Sequence, residues 1–185
     1  MDAINALMSR ISIRSYCSEQ VCDEDLETIL HAGQQAPSAG VIHFSIVQNH
    51  EIIEKISEAG RQMMLNGNNE FHRQRASQEG YTPLYHAPTF IAISGPEGAV
   101  FNAANAALAA ENIMVAATAL GYGSCYLAGI TPLFIGPDSE YKSLVGIPQK
   151  YSYICGVIIG KTDDISAFSP NPRPEKNRSN VNFVK

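Results

Sequence analysis

Arg10, Ser12 and Arg14 fall two apart in the run Arg10-Ile11-Ser12-Ile13-Arg14. In extended backbone all three project to one face, and Ile11 and Ile13 project to the other. On a helix Ser12 would turn away from both arginines. The extended form offers two planar cations and a hydroxyl to a single anion, with apolar anchors behind. That set suits a phosphate monoester, which needs charge, planar donors and short reach. The same spacing also fits two arginines exposed in a loop. Lys176-Asn177-Arg178 repeats the i, i+2 pair of cations near the other end of the chain. Alone it is a solvated tail. At the end of a proline-rich arm it can dock as the second half of an anion site.

The turn Pro37-Ser38-Ala39-Gly40 carries no bulk beyond one hydroxyl. It lets backbone approach a flat ligand closely, although a glycine here also suits a plain helix C-terminus. Gly121-Tyr122-Gly123-Ser124-Cys125-Tyr126 fails as a dinucleotide loop, because Tyr126 fills the third glycine position and the run follows a helix. His31, His43, His50, His72 and His86 show no ligand spacing, so no metal site is expected. No Gly-x-Ser-x-Gly elbow occurs, and no acid, base or nucleophile set is evident. An anion site without catalytic side chains implies chemistry supplied by a cofactor.

The chain surrounding these residues is acidic, with 13 Lys+Arg against 18 Asp+Glu and a net charge of -5. That balance argues against nucleic acid or an anionic membrane surface as partner. Cations clustered within such a chain read better as a built site. The 185 residues, 45% of them hydrophobic, fit one domain with a sizeable core. No run reaches the length of a membrane span, and the first residues lack the pattern of a signal peptide. Cys17, Cys22, Cys125 and Cys155 form no Cys-x-x-Cys pair. The expectation is reduced thiols in a cytoplasmic protein.

The elements that must position these residues follow from periodicity. Helices are expected over 2–9, 23–36, 51–66, 99–120 and 139–145, and strands over 44–48, 89–94, 124–127 and 151–160. Asp23 is the expected cap of the second helix. The alanine-rich helix over 99–120 is expected to be central, with neighbours on most sides. Residues 66–82 read as a polar loop with a short helix, in the manner of a lid. Ser169-Pro170-Asn171-Pro172-Arg173-Pro174 reads as an extended arm. Strands and helices mix without strict βαβ alternation, which favours α+β. The expected domain covers 1–168, with a C-terminal arm over 169–185.

The motifs together resemble the FMN-dependent nitroreductase family over the length of the chain. Arg10-Ile11-Ser12-Ile13-Arg14 resembles its R-x-S-x-R/K, and Ala36-Pro37-Ser38-Ala39-Gly40 resembles its A-P-S turn. Asn112, Ala116-Ala117 and Leu120-Gly121-Tyr122-Gly123-Ser124-Cys125 resemble its long helix followed by L-G-x-G-S. Leu144, Gly146-Ile147-Pro148 and Lys176-Asn177-Arg178 resemble its L-x-I-P and its C-terminal basic pair. The resemblance implies an α+β nitroreductase-like fold: a central, mostly antiparallel sheet flanked by helices, in an intertwined homodimer with an extended C-terminal arm.

It also implies roles. Arg10, Ile11, Ser12, Lys176 and Arg178 would hold the FMN phosphate and ribityl chain. Arg14 would lie near the pyrimidine edge of the ring. Pro37, Ser38, Ala39 and Gly40 would line the flavin from the partner subunit. Leu127, Ala128 and Gly129 would lie against the isoalloxazine, and Asn69 is a further candidate contact. NADH or NADPH would donate a hydride, and a nitroaromatic, quinone or related small molecule would accept electrons in ping-pong fashion. No side chain is expected to act as a catalytic acid or base.

Many family members follow the turn with Asn and then Gln-Pro-Trp. Here Val41-Ile42-His43-Phe44 follows directly, and the chain has no Trp. Ala128 stands where many members carry Glu. A flavin-binding store or sensor without turnover, and a phosphate-ligand domain unrelated to flavin, are the competing readings.

Overall fold

A computed structural model describes residues 1–136, 139–164, 168 and 182–184. Its centre is a four-stranded antiparallel sheet of β1 (His43–Val47), β2 (Thr89–Pro96), β3 (Gly123–Leu127) and β4 (Tyr151–Gly160), in the order β1-β2-β4-β3. The two inner strands read as continuous apolar runs, TFIAISGP and YSYICGVIIG, because both of their faces are covered. Phe90, Ala92 and Ile158 face one core with Ile53, Ile56, Leu84 and Phe134. Ile91, Ile93, Val157 and Ile159 face the other with Leu26, Ile29, Ile113 and Ala117. A bulge at Ile93/Ser94 shifts the register against β4.

The helices are α1 (Ala3–Ser9), α2 (Asp23–Gln34), α3 (His50–Asn66), α4 (Glu70–Ala76), α5 (Asn102–Ala119) and α6 (Glu140–Leu144), with a 3-10 turn over Thr131–Phe134. The expected α+β class and the expected elements are therefore present. Some details differ. Cys22, not Asp23, is the N-cap residue of α2, and Asp23 begins the helix beside Glu24 and Asp25. The three carboxylates still favour its positive end. Helix α2 stops at Gln34, so Gly40 is not its cap. The 3-10 turn was not expected. It follows from Pro132 in its first positions, where the missing N–H costs nothing.

Helix α5 packs on α2 closely enough that a Cβ on Gly33 would come within 2.7 Å of Ile113. It is less enclosed than its alanines suggest, since Ala103, Ala104, Ala107 and Leu108 remain exposed in the single chain. No described helix is long and apolar enough to cross a membrane. Apart from residues 182–184, the expected arm lies outside the described residues, and Lys176 and Arg178 lie there with it.

Candidate active site

The segment after α1 leaves the helix at Arg10 and runs extended beside β3. The Ile13 N–H donates to the Ser124 carbonyl at 2.9 Å, and Ser12 forms a parallel bridge with Ser124. Ile13 is buried against Gly123, where an added Cβ would meet it at 2.9 Å. The extended geometry expected of the Arg-x-Ser-x-Arg run is thus present, with Ile13 inward and Arg14 exposed. Arg10 pairs with Glu111 on α5 at 3.3 Å. Any anion at Arg10 therefore shares it with a carboxylate of its own chain.

Arg14 reaches a cleft of about 190 Å³ at the end of β3. One wall is the strand end and the backbone after it, Leu127, Ala128 and Gly129. Another wall comes from α4 and the loop after it, including Arg75, Tyr81 and Tyr85. Two contacts and a strained turn set that wall. Arg61 Nε donates to the Ala76 carbonyl at 3.1 Å and ties the end of α4 to α3. Asn69 caps α4, its Oδ1 accepting from His72 N–H at 3.1 Å. Tyr85 and His86 both take positive φ, 52° and 56°, which turns the loop sharply. A neighbouring cleft of about 240 Å³ is lined by Asn69, His72, Ala128 and Gly129.

The turn residues lie elsewhere in the single chain. Ser38 and Gly40 line a separate cleft of about 290 Å³ with Val41, Phe44 and Asn105. Gly40 has a φ of 123°, a conformation open to glycine. The Ser38 hydroxyl donates to the Gly40 carbonyl at 2.8 Å, and Asn105 holds Ala39 from α5. Pro37 and Ala39 are exposed beside them.

The titratable groups at the Arg14 cleft favour binding over nucleophilic chemistry. Burial pushes the Cys125 thiol up, against the opposing influence of Arg14, so it stays protonated near neutrality. Burial also pushes Tyr81 up to about 12. The cleft lining contains no Asp or Glu, and no group of side chains able to hold a metal ion occurs among the described residues.

The profile described as Nitroreductase family matches residues 7–161. The chain belongs to the nitroreductase family. An FMN reductase (NAD(P)H) of Bacillus subtilis (strain 168) is 29% identical over 180 residues, spanning 91% of this chain and 69% of its own. A solved nitroreductase with bound FMN from Bacteroides fragilis NCTC 9343 is 25% identical, with a TM-score of 0.82 over 100% of both chains. One from Desulfitobacterium hafniense DCB-2, also with bound FMN, has a TM-score of 0.85 over 100% of both chains at 22% identity, which speaks to the fold.

Set against the nitroreductase expectation, Arg14, Leu127, Ala128 and Gly129 meet at one cleft, and Asn69 lines its neighbour. Ser38 and Gly40 meet at another cleft that shares no lining residue with the first. Ser12 lies by the Cys125 thiol, and Ile11 is half-buried in the same extended segment. Sequence reasoning missed Arg75, Tyr81, Tyr85 and Asn105. The concentration of aromatic and cationic residues between 71 and 85 was a usable signal for the first three. A lone Asn buried among the alanines of α5 was the signal for the fourth.

Proposed function

We propose that this nitroreductase-family chain is an FMN-dependent NAD(P)H oxidoreductase that works as a cytoplasmic homodimer and passes electrons to small aromatic acceptors. The observation that carries the reading is the Arg14 cleft: a cation without a carboxylate partner among the described residues, facing the backbone shelf Leu127–Gly129. A flavin needs positive charge at its pyrimidine edge and a close, side-chain-poor surface along its ring. The residues present fit both needs. An added Cβ on Gly129 would come within 2.9 Å of Met64 Cε, so the shelf stays low.

Bound FMN would supply the redox chemistry, taking two electrons from NADH or NADPH and delivering them to the acceptor. The chain's own residues bind and orient. Arg14 places positive charge at the ring edge. Leu127, Ala128 and Gly129 present backbone along it, and the Arg75–Tyr85 wall limits water and shapes the space for the second ligand. One cleft serving donor and acceptor in turn would give ping-pong kinetics. Arg10, Ser12, Lys176 and Arg178 would bind the phosphate. The separate Ser38–Gly40 cleft supports a site completed by a second copy, as does the exposed apolar face of α1 and α5.

Purified protein should be yellow with a flavin spectrum, and anaerobic NADH or NADPH should bleach it. Colourless protein that cannot be reconstituted with FMN overturns the reading. Bound FMN that bleaches with neither donor makes the protein a flavin store or sensor. Replacing Arg10 or Arg178 with Ala should weaken FMN binding by about 1.5–3 kcal/mol, the scale of a hydrogen bond to a charged group. Unchanged affinity in both variants contradicts their assignment to the phosphate.

A further inference from the structure

We propose that Arg75, fixed by Tyr85 and Tyr81, is an oxyanion receptor in the wall of this cleft that selects aromatic electron acceptors carrying a carboxylate. The inference rests on the flavin reading above and names the acceptor class for the same site.

Arg75 Nη2 donates to the Tyr85 hydroxyl at 2.6 Å. Its guanidinium carbon lies 5.4 Å from the Tyr81 ring centroid and 5.9 Å from that of Tyr85. These contacts hold the fork without neutralising it. A guanidinium has donors to spare beyond one phenol. Among the described residues no carboxylate pairs with Arg75, although the chain carries 18 Asp+Glu. A half-buried cation in an acidic chain, facing a cleft whose lining has no acid, is matched to an anion from outside.

Backbone strain points the same way. Two consecutive non-glycine residues, Tyr85 and His86, take positive φ, a conformation that stores strain in any residue with a side chain. The surroundings hold them in place: His86 Nδ1 meets Glu54 Oε1 at 3.0 Å, and Leu84 N–H donates to the Ser57 hydroxyl at 3.4 Å. The strained turn sets the Tyr85 ring between its cation contacts. Arg14 is 6.0 Å from that ring centroid and Arg75 is 5.9 Å from it. Arg14 is allotted to the flavin, which leaves Arg75 for the other ligand in the cleft.

The rest of the wall specifies that ligand's body. Phe71, Tyr81 and Tyr85 offer aromatic surface to a flat ring, and Arg75 offers a planar fork to an oxyanion on its rim. A carboxylate and a phosphate of the nicotinamide donor share this chemistry, so the test must separate them.

The experiment titrates oxidised, FMN-loaded protein, without reduced nicotinamide, using calorimetry and the flavin spectrum. Its probes are 4-nitrobenzoate and the neutral 4-nitrobenzamide, with NAD+ and NADP+ as a second arm. The wild type should bind the carboxylate about tenfold or more tightly than the amide, the scale of a charge-assisted hydrogen bond. That ratio should fall to about one in Arg75→Gln, and partway in Arg75→Lys and in Tyr85→Phe, where the tether is lost. Equal affinities in the wild type, or a ratio unchanged in Arg75→Gln, overturn the proposal. If Arg75→Gln does not load FMN, the other two variants decide, and a ratio unchanged in both overturns it. If Arg75→Gln weakens NAD+ or NADP+ binding while leaving the ratio intact, the fork reads the donor phosphate and the acceptor assignment is wrong. FMN-loaded protein without the preference refutes this proposal alone, whereas protein that takes up no FMN refutes the flavin reading and this proposal with it.

Discussion

Asn105 holds Ala39 by both of its backbone polar groups. Its Oδ1 accepts from the Ala39 N–H and its Nδ2 donates to the Ala39 carbonyl, each at 3.2 Å. A buried side chain on α5 thereby copies one rung of a β ladder and fixes a turn 66 residues away. The turn has no regular structure of its own, so its shape comes from this clamp and from Gly40.

Replacing Asn105 with Ala removes both bonds. The turn is exposed and its peptide groups can reach water, so the cost should be about 1–3 kcal/mol. Urea denaturation should show a lower midpoint with an unchanged slope. FMN affinity should fall as well, because Ser38 and Gly40 lose their placement. A destabilised variant with unaltered FMN affinity would mean the turn does not touch the cofactor.

Gly40→Ala tests the same turn from the backbone. An added Cβ would meet nothing closer than Asn105 Nδ2 at 3.9 Å, so crowding is not the obstacle. The φ of 123° is. An alanine held there should cost about 1–3 kcal/mol in stability, or shift the turn to escape the strain. The second route should weaken FMN binding more than it lowers the melting temperature. Full retention of both properties would contradict the observed conformation.

The sheet was legible because its inner strands are apolar on both faces, and the C-terminal end of α5 was legible from Gly121, whose φ is positive, whereas the helix starts at Asn102 rather than directly after Gly98. Asn105 looked like an interruption of an apolar helix, although its position marks a structural task. Arg75 and Tyr85 are ten residues apart, and no helix or strand period joins them. They meet because Tyr85 and His86 reverse the chain with dihedrals that their residue types do not advertise. The Arg14 and Ser38–Gly40 clefts share no lining residue within one chain; the assignment of the turn to the partner subunit's site comes from the family resemblance, since residue spacing carries no information on a second copy.

Stability should fall at alkaline pH before the fold loses any contact. Burial pushes the Cys155 thiol from 9.0 up to about 11, and pushes Tyr81 from 10.0 up to about 12. In each case the folded state keeps the proton longer than the unfolded chain does. The stabilisation is therefore complete below pH 9 and is lost as pH rises through these values. Cys155 is fully buried, so its share is on the order of 2–3 kcal/mol between pH 9 and 11. Under reducing conditions Cys155→Ala should flatten that limb of a plot of unfolding free energy against pH. An equally steep limb in the variant would place the effect on other groups.

Helix α1 carries the strongest sign of a missing neighbour. It buries Ala6 and Ser9, leaving Ile4 68%, Leu7 50% and Met8 54% exposed. Leu108 on the adjoining α5 is 45% exposed. Seven residues are too few for a helix to persist alone, so α1 depends on what it packs against. Large apolar side chains left exposed on two packed helices are the expected signature of association. Ile4→Asp combined with Leu108→Asp should convert a sedimenting dimer to monomer. If the flavin site is completed across that contact, the monomer should also lose FMN, and raising protein concentration should restore both together. A monomer that keeps its FMN would show that one chain builds the whole site and that the Ser38–Gly40 cleft serves something else.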